Sequence, residues 1–317
     1  MPHTADGKER GGRPAPSVFG AREGLFCLYA GREFLLVYRP ESMESVLEVY
    51  SRCWRDVVAL AGRGVGFVPF AIVAIGKTGA LALIYFFWHP LFAGFMVPAL
   101  RTLAGEPALH FPGHVNALPV LFEASELGLM LLFGFAMIVC AVFWMADTLE
   151  GKGRGWTVTA GHVALLTPAV ALLAVCFVAG TIGVPMALNR VAEEFARRPK
   201  FQLLIGVGAL GAGFLARVYL AYCPFFLRRV KGGAFAAIRD SVRFARGHSG
   251  VTVLIVMTGF VPEKVIEHLA SDTGAFVANS RPEWVAALFF FKVVVEVFAF
   301  FFLFGAATSV AVGRAPR

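Results

Sequence analysis

The chain has 317 residues, of which 58% are hydrophobic and 16% charged, with a formal net charge of +8 and a mean hydropathy of +0.71. Soluble domains hold roughly 45–50% apolar and about 25% charged residues, so this composition excludes an ordinary soluble enzyme or binding domain. The positive charge lies mainly beside apolar runs, where it reads as a topology signal and a match to anionic lipid headgroups. Membrane lipids are therefore the expected partner, and nucleic acid is not.

Residues 1–16 are charged and rich in Gly and Pro, and read as a disordered tail. No apolar stretch follows that could act as a signal peptide, so the first internal span is expected to direct insertion. Residues 17–65 are expected to form a cytoplasmic unit. Leu25–Ala30 and Phe34–Tyr38 flank Gly31-Arg32-Glu33 as a small hairpin. Residues 43–61 then take helical period, with Met43, Val46, Leu47, Tyr50, Trp54, Val57, Val58 and Ala61 on one stripe. Glu44, Glu48, Ser51, Arg52, Arg55 and Asp56 take the other, as in an interfacial amphipathic helix.

A six-span membrane domain is expected over residues 66–308, followed by a cytoplasmic tail, 309–317. About 20 apolar residues cross a bilayer as a helix, which places spans near 66–88, 120–146, 160–186, 201–227, 250–269 and 284–308. The fifth is the weakest, being interrupted by Pro262, Glu263 and Lys264. Residues 89–104, broken by Pro90 and Pro98, are too short to span and read as an interfacial or re-entrant piece. With both termini inside, the inward segments hold most of the 29 Lys and Arg, as the positive-inside rule requires. The localisation expected is a bacterial inner membrane.

The predicted fold class is thus all-α and integral to the membrane, with cytoplasmic interfacial helices. A threefold repeat shows through it. Amphipathic segments precede span one (45–63) and span five (233–248), and a fainter one, Trp156-Thr157-Val158-Thr159-Ala160, precedes span three. Each unit would be an interfacial helix followed by a transmembrane hairpin.

Residues 217–250 read RVYLAYCPFFLRRVKGGAFAAIRDSVRFARGHSG. The pattern Ala237-x3-Ser241-x5-Gly247-His248 resembles a bacterial superfamily of uncharacterised six-helix inner-membrane proteins. These are related to the membrane domain of glycerophosphoryl diester phosphodiesterases. The sequence has no His-Arg-Gly and no soluble stretch long enough for that enzyme's catalytic domain, so the resemblance implies a scaffold or accessory protein and no reaction.

Three motifs carry weak chemical signals. Gly76-Lys77-Thr78 ends like a P-loop, but Ala71 stands where the first glycine belongs and the context is an apolar helix. Glu193-Glu194 with Arg198, Phe244-x3-His248 and His268-x3-Asp272 resemble the intramembrane CAAX-type proteases. The predicted topology puts Glu193 and His268 on the side opposite His248, which disfavours a shared site. His110 and His114, with His89, lack acidic or Cys ligands in register and read as a loop, so no metal is expected. The five cysteines, Cys27, Cys53, Cys140, Cys176 and Cys223, form no CxxC pair and suggest neither disulfides nor zinc. No catalytic residue and no cofactor is predicted.

Four charges within spans, Lys77, Arg217, Lys292 and Glu296, stand too far from the span ends for simple snorkelling. Each costs about 2.5–3.5 kcal/mol at a helix centre on insertion scales, so unpaired survivors are not expected. Lys292 and Glu296 are four apart on one helix face, which makes them either a structural salt bridge or part of a pocket for an ion, proton or headgroup. Arg228, Arg229, Lys231, Arg239, Arg243 and Arg246 form a basic cluster for lipid headgroups or a docking partner, with Phe235, Ile238, Val242 and Ala245 as an apolar face opposite. Abundant glycine, 34 residues, permits close helix packing and a homo-oligomer or membrane complex. The leading functional expectation is a non-catalytic scaffold or accessory protein. A transporter or channel using the buried charges is the alternative, and an intramembrane hydrolase the third.

Overall fold

The computed structural model describes residues 43–153, 155–194, 199–229, 233–271, 275–276 and 283–314. The expected tail and hairpin over 1–38 and the carboxyl end at 315–317 lie outside the described residues. Every regular element described is helical: α1 (Met43–Gly62), α2 (Val68–Tyr85), α3 (Pro90–Ala104), α4 (Gly113–Leu129), α5 (Phe135–Leu149), α6 (Trp156–Leu165), α7 (Thr167–Val178), α8 (Val184–Glu194), α9 (Pro199–Leu220), α10 (Cys223–Arg229), α11 (Gly233–Gly247), α12 (Ser249–Ser271) and α13 (Glu283–Arg314).

Six helical segments are long and apolar enough to cross a membrane: Val65–Tyr85, Gly113–Leu149, Thr167–Leu188, Lys200–Arg229, Ser249–Ala270 and Glu283–Gly313. The chain is a multi-pass membrane protein by this composition. Span two is longer than the 120–146 expected. Its 37 residues measure about 55 Å at 1.5 Å per residue, well beyond a hydrocarbon core of about 30 Å. Span three starts later than expected. Residues 156–165 form α6, and the chain turns at Leu166, where φ is −98° and ψ 11°. Pro168 in the first turn of α7 has no N–H to donate to the Ala164 carbonyl and its ring crowds that carbonyl, which separates the two helices. Span five runs through Pro262 unbroken, and α3 stays too short to span at 15 residues.

The element order repeats three times, as α1 with α2 and α4–α5, α6 with α7–α8 and α9, and α11 with α12 and α13. The short helices turn different faces inward from those the sequence suggested. On α1 the buried residues are Val49, Cys53, Val57 and Leu60, while Leu47, Trp54 and Val58 are exposed. On α11 Ala234, Ala237, Ser241 and Ala245 are buried, and Phe235 is 73% exposed. Small side chains let α11 close on its neighbours, and Ser241 Oγ donates to the Tyr219 carbonyl at 2.6 Å. Ala237 and Ser241, which carried the family resemblance, are packing residues.

Spans two and three each contain one wide π turn, at Met130–Gly134 and Ala179–Gly183. Such turns are rare and concentrate at functional sites. The apolar interior is divided into two clusters. One includes Val73, Met130, Val297 and Phe300, and the other includes Leu81, Phe122, Phe289 and Val293. On α2, α4 and α13 the boundary between the two clusters falls at a charged residue.

Candidate functional site

Those boundary residues are Lys77 on α2, Glu126 on α4, and Lys292 and Glu296 on α13, all buried. They form a closed quartet. Lys77 Nζ donates to Glu126 Oε1 at 2.9 Å and also to Glu296 Oε2. Lys292 Nζ donates to Glu126 Oε2 at 2.8 Å and lies 3.5 Å from Glu296 Oε1. Each carboxylate thus meets both ammonium groups, one oxygen for each. Replacing lost hydration this completely is the condition under which buried charges are tolerated.

A second unit adjoins the quartet. Arg217 on α9 and Glu263 on α12 face each other fork to fork, with guanidinium-to-oxygen distances of 2.5 and 2.6 Å. The planar guanidinium lies 5.1 Å from the Phe260 ring centre and 5.8 Å from that of Phe300, and Lys292 lies 5.6 Å from that of Phe122. Aromatic faces attract cations most where water is excluded.

Both units line a cavity of about 130 Å³, whose wall includes Met130, the first residue of one π turn, and Val178, Thr181 and Ile182 at the other. Toward its rim Glu123, Lys264 and Glu267 are half-buried, and Lys264 Nζ donates to Glu267 Oε2 at 2.6 Å. Residues of five helices thus bring nine ionisable side chains to one space.

The structure therefore joins all four charges expected inside the spans. Lys292 and Glu296 do meet, although this is the longest contact of the quartet. Sequence reasoning missed Glu126 and Glu263, the counter-ions from other helices. Its own placement of three cations and one carboxylate within spans held the signal: two further anions were needed, and only those of spans two and five were available.

The basic cluster divides. Arg228 is only 12% exposed, its guanidinium bound to Asp147 and, at 2.7 Å, to Glu150. This ties α10 to the end of α5 and leaves Arg228 little surface for lipid. Arg229 reaches Glu150 at 3.3 Å and lies over Phe225. Desolvation acts against ionised Glu150, but hydrogen bonds from Arg228, Lys152 and Arg229 prevail and lower its pKa to about 2. Lys231 lies outside the described residues. Arg239, Arg243 and Arg246 are exposed on α11 with Phe235.

The weaker motifs do not assemble. Lys77 sits mid-helix with its ammonium taken by two carboxylates, which leaves nothing of a phosphate loop. His248 and His268 stand at opposite ends of α12, about 30 Å apart by helical rise, so they cannot share a site. His248 instead stacks on Phe244, and burial lowers its pKa. Glu193 and Glu194 end α8, and Asp272 lies outside the described residues. His89 caps α3, and His114 is buried against Phe87. Among the described residues no group of three or more His, Cys, Asp or Glu could hold a metal. Comparison with protein-family models, curated proteins and solved structures gives no match.

Proposed function

We propose that this multi-pass membrane protein is a non-enzymatic, solute-handling protein of the transporter or channel class, with the charged cavity as its working site. The observation that carries this reading is that nine ionisable side chains from five helices border one space of about 130 Å³. Ionisable groups at membrane depth are costly and mark solute and ion pathways. Irregular backbone at that depth is tolerated where it is covered by protein or lines a cavity, and both π turns contribute residues to this wall. Charges serving only to register the helices would be expected to close on one another and leave no space.

A second reading, that of a scaffold or accessory protein, is favoured by the quartet itself, in which every carboxylate oxygen already has an ammonium partner. The resemblance at residues 237–248 points the same way. In either reading the membrane we infer is a bacterial inner membrane with both termini cytoplasmic, from the Lys and Arg asymmetry.

Purified protein in liposomes, assayed for flux of small ions and polar solutes, separates the readings. The wild type is expected to conduct at least one such solute, and the Lys292→Met, Glu296→Leu double variant is expected to fold and conduct none. Unchanged flux, or full complementation of a deletion strain by the stable double variant, would return the charges to the scaffold role.

A further inference from the structure

Two polar groups on residues that line the cavity are left over after its internal pairings. The six buried charges balance, three cations against three carboxylates, and Lys264 pairs with Glu267 at the rim. Glu123 remains. It lines the cavity half-buried, and no described residue forms an ion pair or hydrogen bond with it. The second group is Arg217 Nε, which is buried with no acceptor although both terminal nitrogens of that guanidinium are held by Glu263. The Arg217 side chain is more than nine-tenths buried.

These groups ask for opposite things. A carboxylate left over in a space of low dielectric is held in its charged form by a positive occupant. A buried N–H without an acceptor calls for an oxygen. Size limits the occupant further. An engineered cavity of about 150 Å³ admits benzene, so about 130 Å³ suits a solute of roughly six non-hydrogen atoms or fewer. We propose that the cavity binds a small protonated amine carrying an oxygen acceptor, its ammonium on Glu123 and its oxygen on Arg217 Nε. This rests on the solute-handling reading and names its substrate class.

The test uses the full chain in nanodiscs with four probes: ethanolamine, the isosteric n-propylammonium, acetate and sodium. Ethanolamine is expected to bind by calorimetry and raise the unfolding temperature. n-Propylammonium should bind more weakly, and acetate and sodium should do neither. Glu123→Gln is expected to weaken ethanolamine at least about tenfold, as loss of a charge-assisted hydrogen bond implies, while Glu123→Asp keeps most of the affinity. Unfolding curves of both variants without ligand separate misfolding from lost binding. Equal binding of n-propylammonium would overturn the Arg217 contact. Binding of acetate or sodium in place of the amines would overturn the amine class while leaving a solute site standing. If all four probes and liposome flux were silent, the solute-handling reading would fall as well.

Discussion

Glu126 and Lys292 are 166 residues apart in sequence and 2.8 Å apart in space. Their contact ties α4 to α13, and through the second oxygen of Glu126 it also ties α2 to both. Three helices from the first and last repeats are thus held in register by one carboxylate.

The first prediction concerns that carboxylate. Glu126→Gln leaves Lys77 and Lys292 sharing Glu296 alone, and breaking a buried pair costs about 3–5 kcal/mol. The unfolding midpoint in detergent should fall accordingly. Glu296→Gln should behave alike, whereas Lys292→Met with Glu296→Leu leaves the balanced Lys77–Glu126 pair and should largely recover stability. A Glu126→Gln protein as stable as wild type would show that the quartet is not formed.

Arg217 and Glu263 make a stricter case. Their two-pronged contact needs the guanidinium fork, which an ammonium cannot reproduce. Arg217→Lys keeps the charge yet is expected to destabilise by about 1–3 kcal/mol, the cost of a buried hydrogen bond left unmade. Chemical denaturation of the purified variant reads this directly.

The α5–α10 junction should respond to acid. Glu150 has a pKa lowered from the usual 4.5 to about 2. Its contribution to stability is therefore complete above pH 4.5 and is lost as pH falls through about 2. Wild type should lose stability progressively across that window. Glu150→Gln should be less stable at neutral pH and lack that part of the acid dependence. Thermal unfolding at a series of pH values separates the two.

Orientation has its own test. A cytoplasmic reporter should be active when fused after Glu150 or Arg246 and inactive after Glu106 or Lys200. Activity after both Glu106 and Glu150 would mean that span two does not cross.

The outer face of α11 should discriminate between lipids. With Arg239, Arg243 and Arg246 changed to Gln, the protein in nanodiscs should lose most of its stabilisation by anionic over neutral lipid. The wild-type preference should also weaken with added salt, because exposed charges are screened within about 10 Å at 0.1 M. Equal responses of both proteins would leave the cluster only its part in topology.

By itself the sequence determined the all-helical class, the six spans and the threefold order, because each of these is a local property. Apolar length gives a span, helical period gives an interfacial helix, and Pro90 and Pro98 mark a segment too short to cross. Of the two misplaced span starts, at Gly113 and Thr167, the second was also locally encoded, in the missing N–H of Pro168. Which face of α1 and α11 turns inward was not, since both helices carry apolar residues on more than one side and packing chose among them. The charged site shows the same division. Lys77, Arg217, Lys292 and Glu296 stood out because charge in an apolar run is costly wherever it occurs. Their partners did not, because ion pairing depends on distance in space. Only the tertiary structure brought Glu126 between two lysines of other helices and set Glu263 against Arg217, leaving Glu123 over at the edge of the cavity.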